Sequence, residues 1–139
     1  MESAELTLDA LTEWGRAFGA AVEAPRVITL EGDLGAGKTT LVQAIAAGLG
    51  VREPVTSPTY ALVQSYASPK GTLHHLDLYR LRDASQLAQL GWDDILQDRA
   101  VVCIEWPDRA GDALPSTRTA LTLAHVPNRA DVRRLTWTD

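Results

Sequence analysis

The run Gly32-Asp33-Leu34-Gly35-Ala36-Gly37-Lys38-Thr39 follows directly on the apolar stretch Val27-Ile28-Thr29-Leu30-Glu31. Aliphatic and β-branched residues over that length read as a buried strand. Beyond the run, Leu41, Val42, Ile45 and Leu49 recur at helical spacing, so a helix begins as the loop ends and stops near Gly48 or Gly50. A strand, a tight glycine-rich loop and a helix in that order confine the chain to an α/β unit. The glycines let the backbone turn sharply and bring several N–H groups toward one point, which the positive end of the helix also faces.

The loop fits the pattern G-x-x-x-x-G-K-[ST] without a gap. In that pattern the backbone amides cradle phosphate oxygens, the lysine reaches the β- and γ-phosphates, and the hydroxyl residue supplies a magnesium ligand. Asp33, Leu34, Gly35, Ala36, Gly37, Lys38, Thr39 and Thr40 are therefore the candidate residues for a nucleoside triphosphate, with Lys38 on the phosphates and Thr39 on Mg2+. A glycine-rich turn with no ligand would require neither Lys38 nor Thr39 in register.

A chain of 139 residues is most simply one domain, 1–139, and buries about two-thirds of its unfolded surface. Four tryptophans and many aliphatic residues supply a hydrophobic core that needs neither a structural metal nor disulfides. The single cysteine, Cys103, cannot form an intrachain disulfide, and no apolar segment has the length of a signal peptide or membrane span. These features predict a cytoplasmic protein with no membrane association. A net charge of -5, with both signs mixed along the chain, argues against a long nucleic-acid footprint and leaves room for a small RNA contact.

Around the loop, Thr7 is placed to cap a helix in which Leu8, Leu11, Gly15, Phe18 and Val22 share a face, ending before Pro25. Glu53 to Thr59 is an ordered loop, because its prolines remove donors and restrict their neighbours. Tyr60 to Tyr66 and Thr72 to Tyr79 are strands of an antiparallel hairpin turned at Ser68-Pro69-Lys70-Gly71. Asp83 and Gln86 form a capping box for a short helix. Val101 to Ile104 is a strand that delivers Glu105 at its end, and Thr119 to Val126 turns through Pro127-Asn128-Arg129-Ala130 into a strand over Val132 to Trp137. The expected architecture is a three-layer α/β P-loop NTPase with a central mixed β-sheet flanked by helices.

A triphosphate site also needs an acidic group at the metal and something to position water. Strand alternation puts His75, Asp77 and Tyr79 on one face, with Leu76 and Leu78 on the other. Cys103 and Glu105 share a face in the same way. Either Asp77 or Glu105 could hold magnesium with Thr39, and each could equally be an ordinary surface acid. Thr56 and Thr59 could report the γ-phosphate from their loop or simply form a turn. His74 opposes Asp77 and is a packed or surface histidine, while Cys103 is a small buried side chain rather than a nucleophile. His74, His75 and Cys103 have no zinc spacing.

Four segments together resemble the TsaE family of bacterial ATPases, which assist threonylcarbamoyladenosine formation on transfer RNA. They are Gly32 to Thr39, Ser57-Pro58-Thr59-Tyr60, His75-Leu76-Asp77-Leu78-Tyr79-Arg80 and Ile104-Glu105-Trp106-Pro107. The resemblance covers roughly residues 5 to 110. It implies ATP and Mg2+ as cofactors, Lys38 on the phosphates, Thr39 and Asp77 at the metal, and Glu105 beside the phosphates and needed for activity. It also implies a switch-like loop at Thr59 and a functionally important Glu105-Trp106 pair. Asp93 and Asp94 stand where relatives commonly carry glutamates. TsaD-like and TsaB-like proteins are the implied partners, with tRNA approached inside their assembly.

Three other readings use the same loop. A nucleotide-controlled protein-binding module would order the Thr56 to Thr59 loop without essential hydrolysis. A small-molecule kinase would need an acceptor pocket and a closing lid, and no arginine-rich lid segment is evident. A GTPase would carry an Asn-Lys-x-Asp sequence for guanine, and the chain has none.

Overall fold

A computed structural model describes residues 1–33, 35–56 and 62–138. Its elements are β1 (Glu2–Thr7), α1 (Leu8–Ala21), β2 (Arg26–Glu31), α2 (Lys38–Leu49), β3 (Val63–Tyr66), β4 (Leu73–Asp77), α3 (Trp92–Gln97), β5 (Val101–Glu105), β6 (Thr119–Val126) and β7 (Arg129–Thr138). Two 3-10 segments, Ala84–Leu90 and Pro107–Ala113, lie between them, the second kinked at Gly111.

The described strands form one sheet in the order β1-β7-β6-β2-β5-β4-β3. β2 lies between β5 and β6 and runs parallel to both, while β4 is parallel to β5. Antiparallel pairs, β3 with β4, β7 with β6 and β1 with β7, complete a mixed sheet. Because β2, β5 and β4 run the same way, their carboxyl ends open on one edge, the ordinary place for a ligand in such sheets. The register sets Leu30 opposite Glu105 and Asp77 opposite Glu105 on its other side.

On one face, α1 and α2 cover Ile28, Leu30, Leu73 and Cys103 with Leu11, Leu41 and Ile45. On the other, the 3-10 segments and α3 cover Leu76, Val102 and Ile104 with Leu87, Trp92, Ile95 and Ala110. The expected alternation is thus realised: Leu76 and Leu78 enter the second cluster, opposite the face of Cys103. Gly48 does not end α2. It lies inside the helix, where an added Cβ would overlap the carbonyl oxygen of Arg16, and the left-handed Gly50 is the cap.

Local expectations hold unevenly. Thr7 caps α1 through a 3.2 Å bond from Ala10 N, yet Leu8 projects to solvent rather than joining the buried face. The capping box is displaced: Asp83 accepts from Ser85 N, and Gln86 Oε1 accepts from Arg82 N, as the tighter 3-10 turn shifts both partners by one residue. β1 and α3 are elements that sequence periodicity does not reveal. Among the described residues, no helix is long and apolar enough to cross a membrane.

Candidate functional site

The loop after β2 leads into α2 through Gly37, which takes a left-handed conformation with φ 103°. A side chain is disfavoured there, so glycine is what allows Lys38 to begin the helix immediately. Lys38 folds back over the loop, donating to the carbonyls of Gly32 and, at 3.3 Å, Asp33. Its ammonium also lies 3.8 Å from the centre of the Trp106 ring. Lys38 is 6% exposed, and this burial lowers its pKa; attraction from Glu105, Asp77, Asp33 and Asp108 opposes that effect.

Glu105 ends β5 almost wholly buried. Thr39 Oγ1 donates toward both of its carboxylate oxygens, at 3.4 and 3.3 Å. From the other side, His75 Nε2 stands 2.6 Å from Oε2. His75 pairs with Cys103 in the β4–β5 register, two residues before Glu105, so its ring reaches diagonally along one face to the carboxylate. Asp77, opposite Glu105, accepts from Tyr79 N at 3.0 Å.

Lys38, Thr39, Asp77 and Glu105 meet in a pocket of about 360 Å³, lined by Gly35, Gly37, Lys38, Thr39, Thr40, Asp77, Tyr79, Glu105 and Trp106, with His75 buried behind Glu105. Trp106 forms a wall with an unusual backbone for a non-glycine residue, φ 57° and ψ 53°. Its ring contacts both Lys38 and Tyr79, whose ring centre is 4.9 Å away, and the Arg109 guanidinium lies over the Tyr79 ring at 5.6 Å. A second pocket of about 400 Å³ shares Gly35, Gly37 and Thr40 with the first and extends over Ala36 to Leu8, Ala130, Asp131 and Arg133.

The donors near Lys38 are a hydroxyl and two carboxylates, an all-oxygen set that suits a hard cation. Among the described residues there is no group of three or more His, Cys, Asp and Glu side chains arranged as a metal cage. That is compatible with magnesium, which commonly keeps waters and shares substrate phosphates instead of filling a protein cage.

The model for the family "Threonylcarbamoyl adenosine biosynthesis protein TsaE" matches residues 6–135. The chain belongs to the TsaE family. A TsaE from Nostoc sp. is 45% identical over 98 residues, covering 68% of this chain and 60% of that protein. The aligned region thus spans less than two-thirds of that relative's length. A TsaE from Bacillus subtilis is 38% identical over 112 residues, 81% of this chain and 68% of its own length. The crystal structure of Bacillus subtilis YdiB superposes with a TM-score of 0.78 at 27% identity, covering 98% of this chain and 84% of that one. The superposition matches the expected P-loop-type architecture, a central mixed sheet with flanking helices.

Of the residues singled out from the TsaE resemblance, Lys38, Thr39, Asp77, Glu105 and Trp106 come together in the pocket. Thr40 and Gly37 line both pockets, and Ala36 lies beneath the second. Asp33 contributes its carbonyl to Ala36 N and Lys38, and its residue lines a neighbouring depression with Pro107 and Asp108. Leu34 and Thr59 lie outside the described residues. Thr56 is tied to the hairpin, its N–H donating to Tyr66 Oη and its hydroxyl to Gln64 Oε1, both at 3.4 Å. Asp93 and Asp94 are exposed in the first turn of α3, away from the pocket lining. Two supporting residues carry no role in the sequence reading: His75, which lies behind the pocket and touches Glu105, and Tyr79, which lines it and contacts Trp106. Alternation puts His75 on Asp77's face and lacks only the β4–β5 register, whereas Tyr79 lies in a turn beyond β4, since the strand expected over Thr72 to Tyr79 ends at Asp77.

Proposed function

We propose that the chain, as one P-loop domain over 1–139, hydrolyses ATP to ADP and phosphate in support of threonylcarbamoyladenosine formation on tRNA, acting with TsaD-like and TsaB-like proteins. The observation that carries this reading is a buried carboxylate, Glu105, held against Thr39 in the same pocket as the loop lysine. The names of the Nostoc and Bacillus relatives supply the tRNA context.

In this reading Lys38 exchanges its loop carbonyls for the β- and γ-phosphates and stabilises the charge on the transferred group. The amides of Asp33 to Thr40 hold the remaining phosphate oxygens at the start of α2. Thr39, with Asp77 and Glu105 nearby, would hold Mg2+, which when bound supplies charge neutralisation at the phosphate oxygens. Glu105 orients the water that attacks the γ-phosphorus in line as the β–γ bridging bond breaks. The second pocket, reached past Thr40 and edged by Leu8, Ala130 and Arg133, takes the nucleoside end. Thr59 belongs to this proposal as the γ-phosphate reporter of its loop.

The nucleotide-controlled module is supported by a separate observation. Trp106 covers Lys38 and carries Tyr79 and Arg109 outward from it, so a change in the partners of Lys38 would alter an outward-facing aromatic and cationic surface. The two readings separate on one experiment, turnover of the assembled TsaD-like and TsaB-like proteins with ATP or with a nonhydrolysable analogue. Hydrolysis predicts repeated turnover with ATP alone. Equal turnover with the analogue would make hydrolysis dispensable and leave the module.

A further inference from the structure

His75 is wholly buried, and its ring nitrogens have unequal surroundings. Nε2 is 2.6 Å from Glu105 Oε2, whereas Nδ1 is buried with no hydrogen-bond partner among the described residues. A residue serving only to fill the face between Leu73 and Cys103 would be better as an aliphatic side chain of similar size, since an unsatisfied buried nitrogen costs about 1–3 kcal/mol. The ring's one hydrogen bond goes to the carboxylate beside the phosphate loop.

That carboxylate has a soft terminal torsion, because rotation about the last bond of a glutamate has no sharp preference. Thr39 straddles both of its oxygens at 3.3 and 3.4 Å and therefore selects neither. His75 approaches only Oε2, at the shorter distance, and so fixes the plane of the group. Oε1 takes no bond from His75, and Thr39 is its hydrogen-bond neighbour at 3.4 Å.

We infer that His75 is a positioning residue for Glu105: the Nε2–H held on Oε2 sets the carboxylate plane from which Glu105 orients the attacking water. The assignment rests on the proposed role of Glu105 in ATP hydrolysis. His75 touches neither nucleotide nor water and acts through the carboxylate alone. Losing an orienting contact of this type costs up to about 10²-fold in rate when the reacting group drifts by roughly 1 Å.

The test uses the full chain with its TsaD-like and TsaB-like partners. His75→Leu removes the donor while keeping bulk, and His75→Gln returns an amide N–H near the position of Nε2. The expected result is a fall in kcat of about ten- to a hundredfold for His75→Leu, with KM and affinity for a nonhydrolysable ATP analogue unchanged and Tm no lower than that of the wild type. His75→Gln recovers most of the rate. Adding His75→Leu to Glu105→Ala slows turnover no further, because the two act as a unit. Independently of turnover, long-range 1H–15N spectra of the wild type show the proton on Nε2.

A His75→Leu variant with wild-type kcat, beside a Glu105→Ala variant that has lost turnover, would reduce His75 to packing. So would equal loss in the Leu and Gln variants accompanied by a lower Tm in both, or a proton found on Nδ1 alone. Full turnover in Glu105→Ala would instead overturn the role of Glu105 itself, and with it that of His75.

Discussion

At Lys38, two influences act in opposite directions on one ammonium group: burial favours the neutral amine, and four surrounding carboxylates favour the charge. Its present partners, two loop carbonyls and an aromatic face, are neutral. In the proposed function a triphosphate replaces them with full negative charge. At Cys103, two residues before Glu105, the two influences act in the same direction. Burial, with the Glu105 charge adding to it, pushes its thiol up to about 12 from the ordinary 9.0. The folded state therefore holds this proton more tightly than the unfolded state, and the corresponding stability is lost as pH rises from about 9 to about 12. Wild type should lose more stability over that window than Cys103→Ala, measured by urea unfolding at successive pH values. Below pH 9 the native thiol should resist a thiol reagent that labels the unfolded chain; rapid native labelling would contradict its burial. Lys38, Thr39 and Glu105 were legible as candidates from a loop pattern and a strand end. The pairing of His75 with Glu105 was not, because the two stand 30 positions apart and meet only through strand register.

The helix that carries Lys38 owes its position to close packing with α1. Gly15, Gly19 and Gly48 sit where the two helices approach: an added Cβ at Gly19 would overlap the carbonyl oxygen of Ile45, and one at Gly48 that of Arg16. Helix propensity alone predicts that Gly48→Ala gains about 1 kcal/mol. Contact with backbone, which cannot rotate away, outweighs that gain, and a net destabilisation of roughly 1–3 kcal/mol is expected from denaturant unfolding. A more stable Gly48→Ala would mean that the helices can separate without cost. Sequence recovered the elements with long periodic faces, α1, α2 and β6 to β7. It missed β1, an edge strand in which only Ala4 and Leu6 are partly buried, and α3, whose six residues are too few to show a helical period. The N-terminal strand is specified mainly by what it meets, from Glu2 opposite Trp137 to Thr7 opposite Val132.

Across the whole molecule, the site exists because the carboxyl ends of β2, β5 and β4 lie side by side. Alternation states which face a residue occupies but not which strand is its neighbour, so the mixed sheet could be expected while its order could not. Once β5 is set between β2 and β4, Glu105 has the phosphate loop on one side and His75 and Asp77 on the other. Nucleotide that binds this arrangement and not the unfolded chain must stabilise the fold. At a hundred times its dissociation constant, ATP with magnesium should add about 2.7 kcal/mol, visible as a rise in Tm on the order of 10 °C. No rise at saturating nucleotide would argue that the pocket does not hold it.

The central claim is that Lys38 and Glu105 belong to one hydrolytic site with different tasks. Phosphate release from ATP, measured with the TsaD-like and TsaB-like proteins present for wild type, Lys38→Ala and Glu105→Ala, with calorimetric ATP binding in parallel, tests it most directly. The prediction is that Lys38→Ala loses binding and turnover together. Glu105→Ala should still bind ATP while turnover falls by about 10²-fold or more. Equal rates of phosphate release in all three forms would contradict the account.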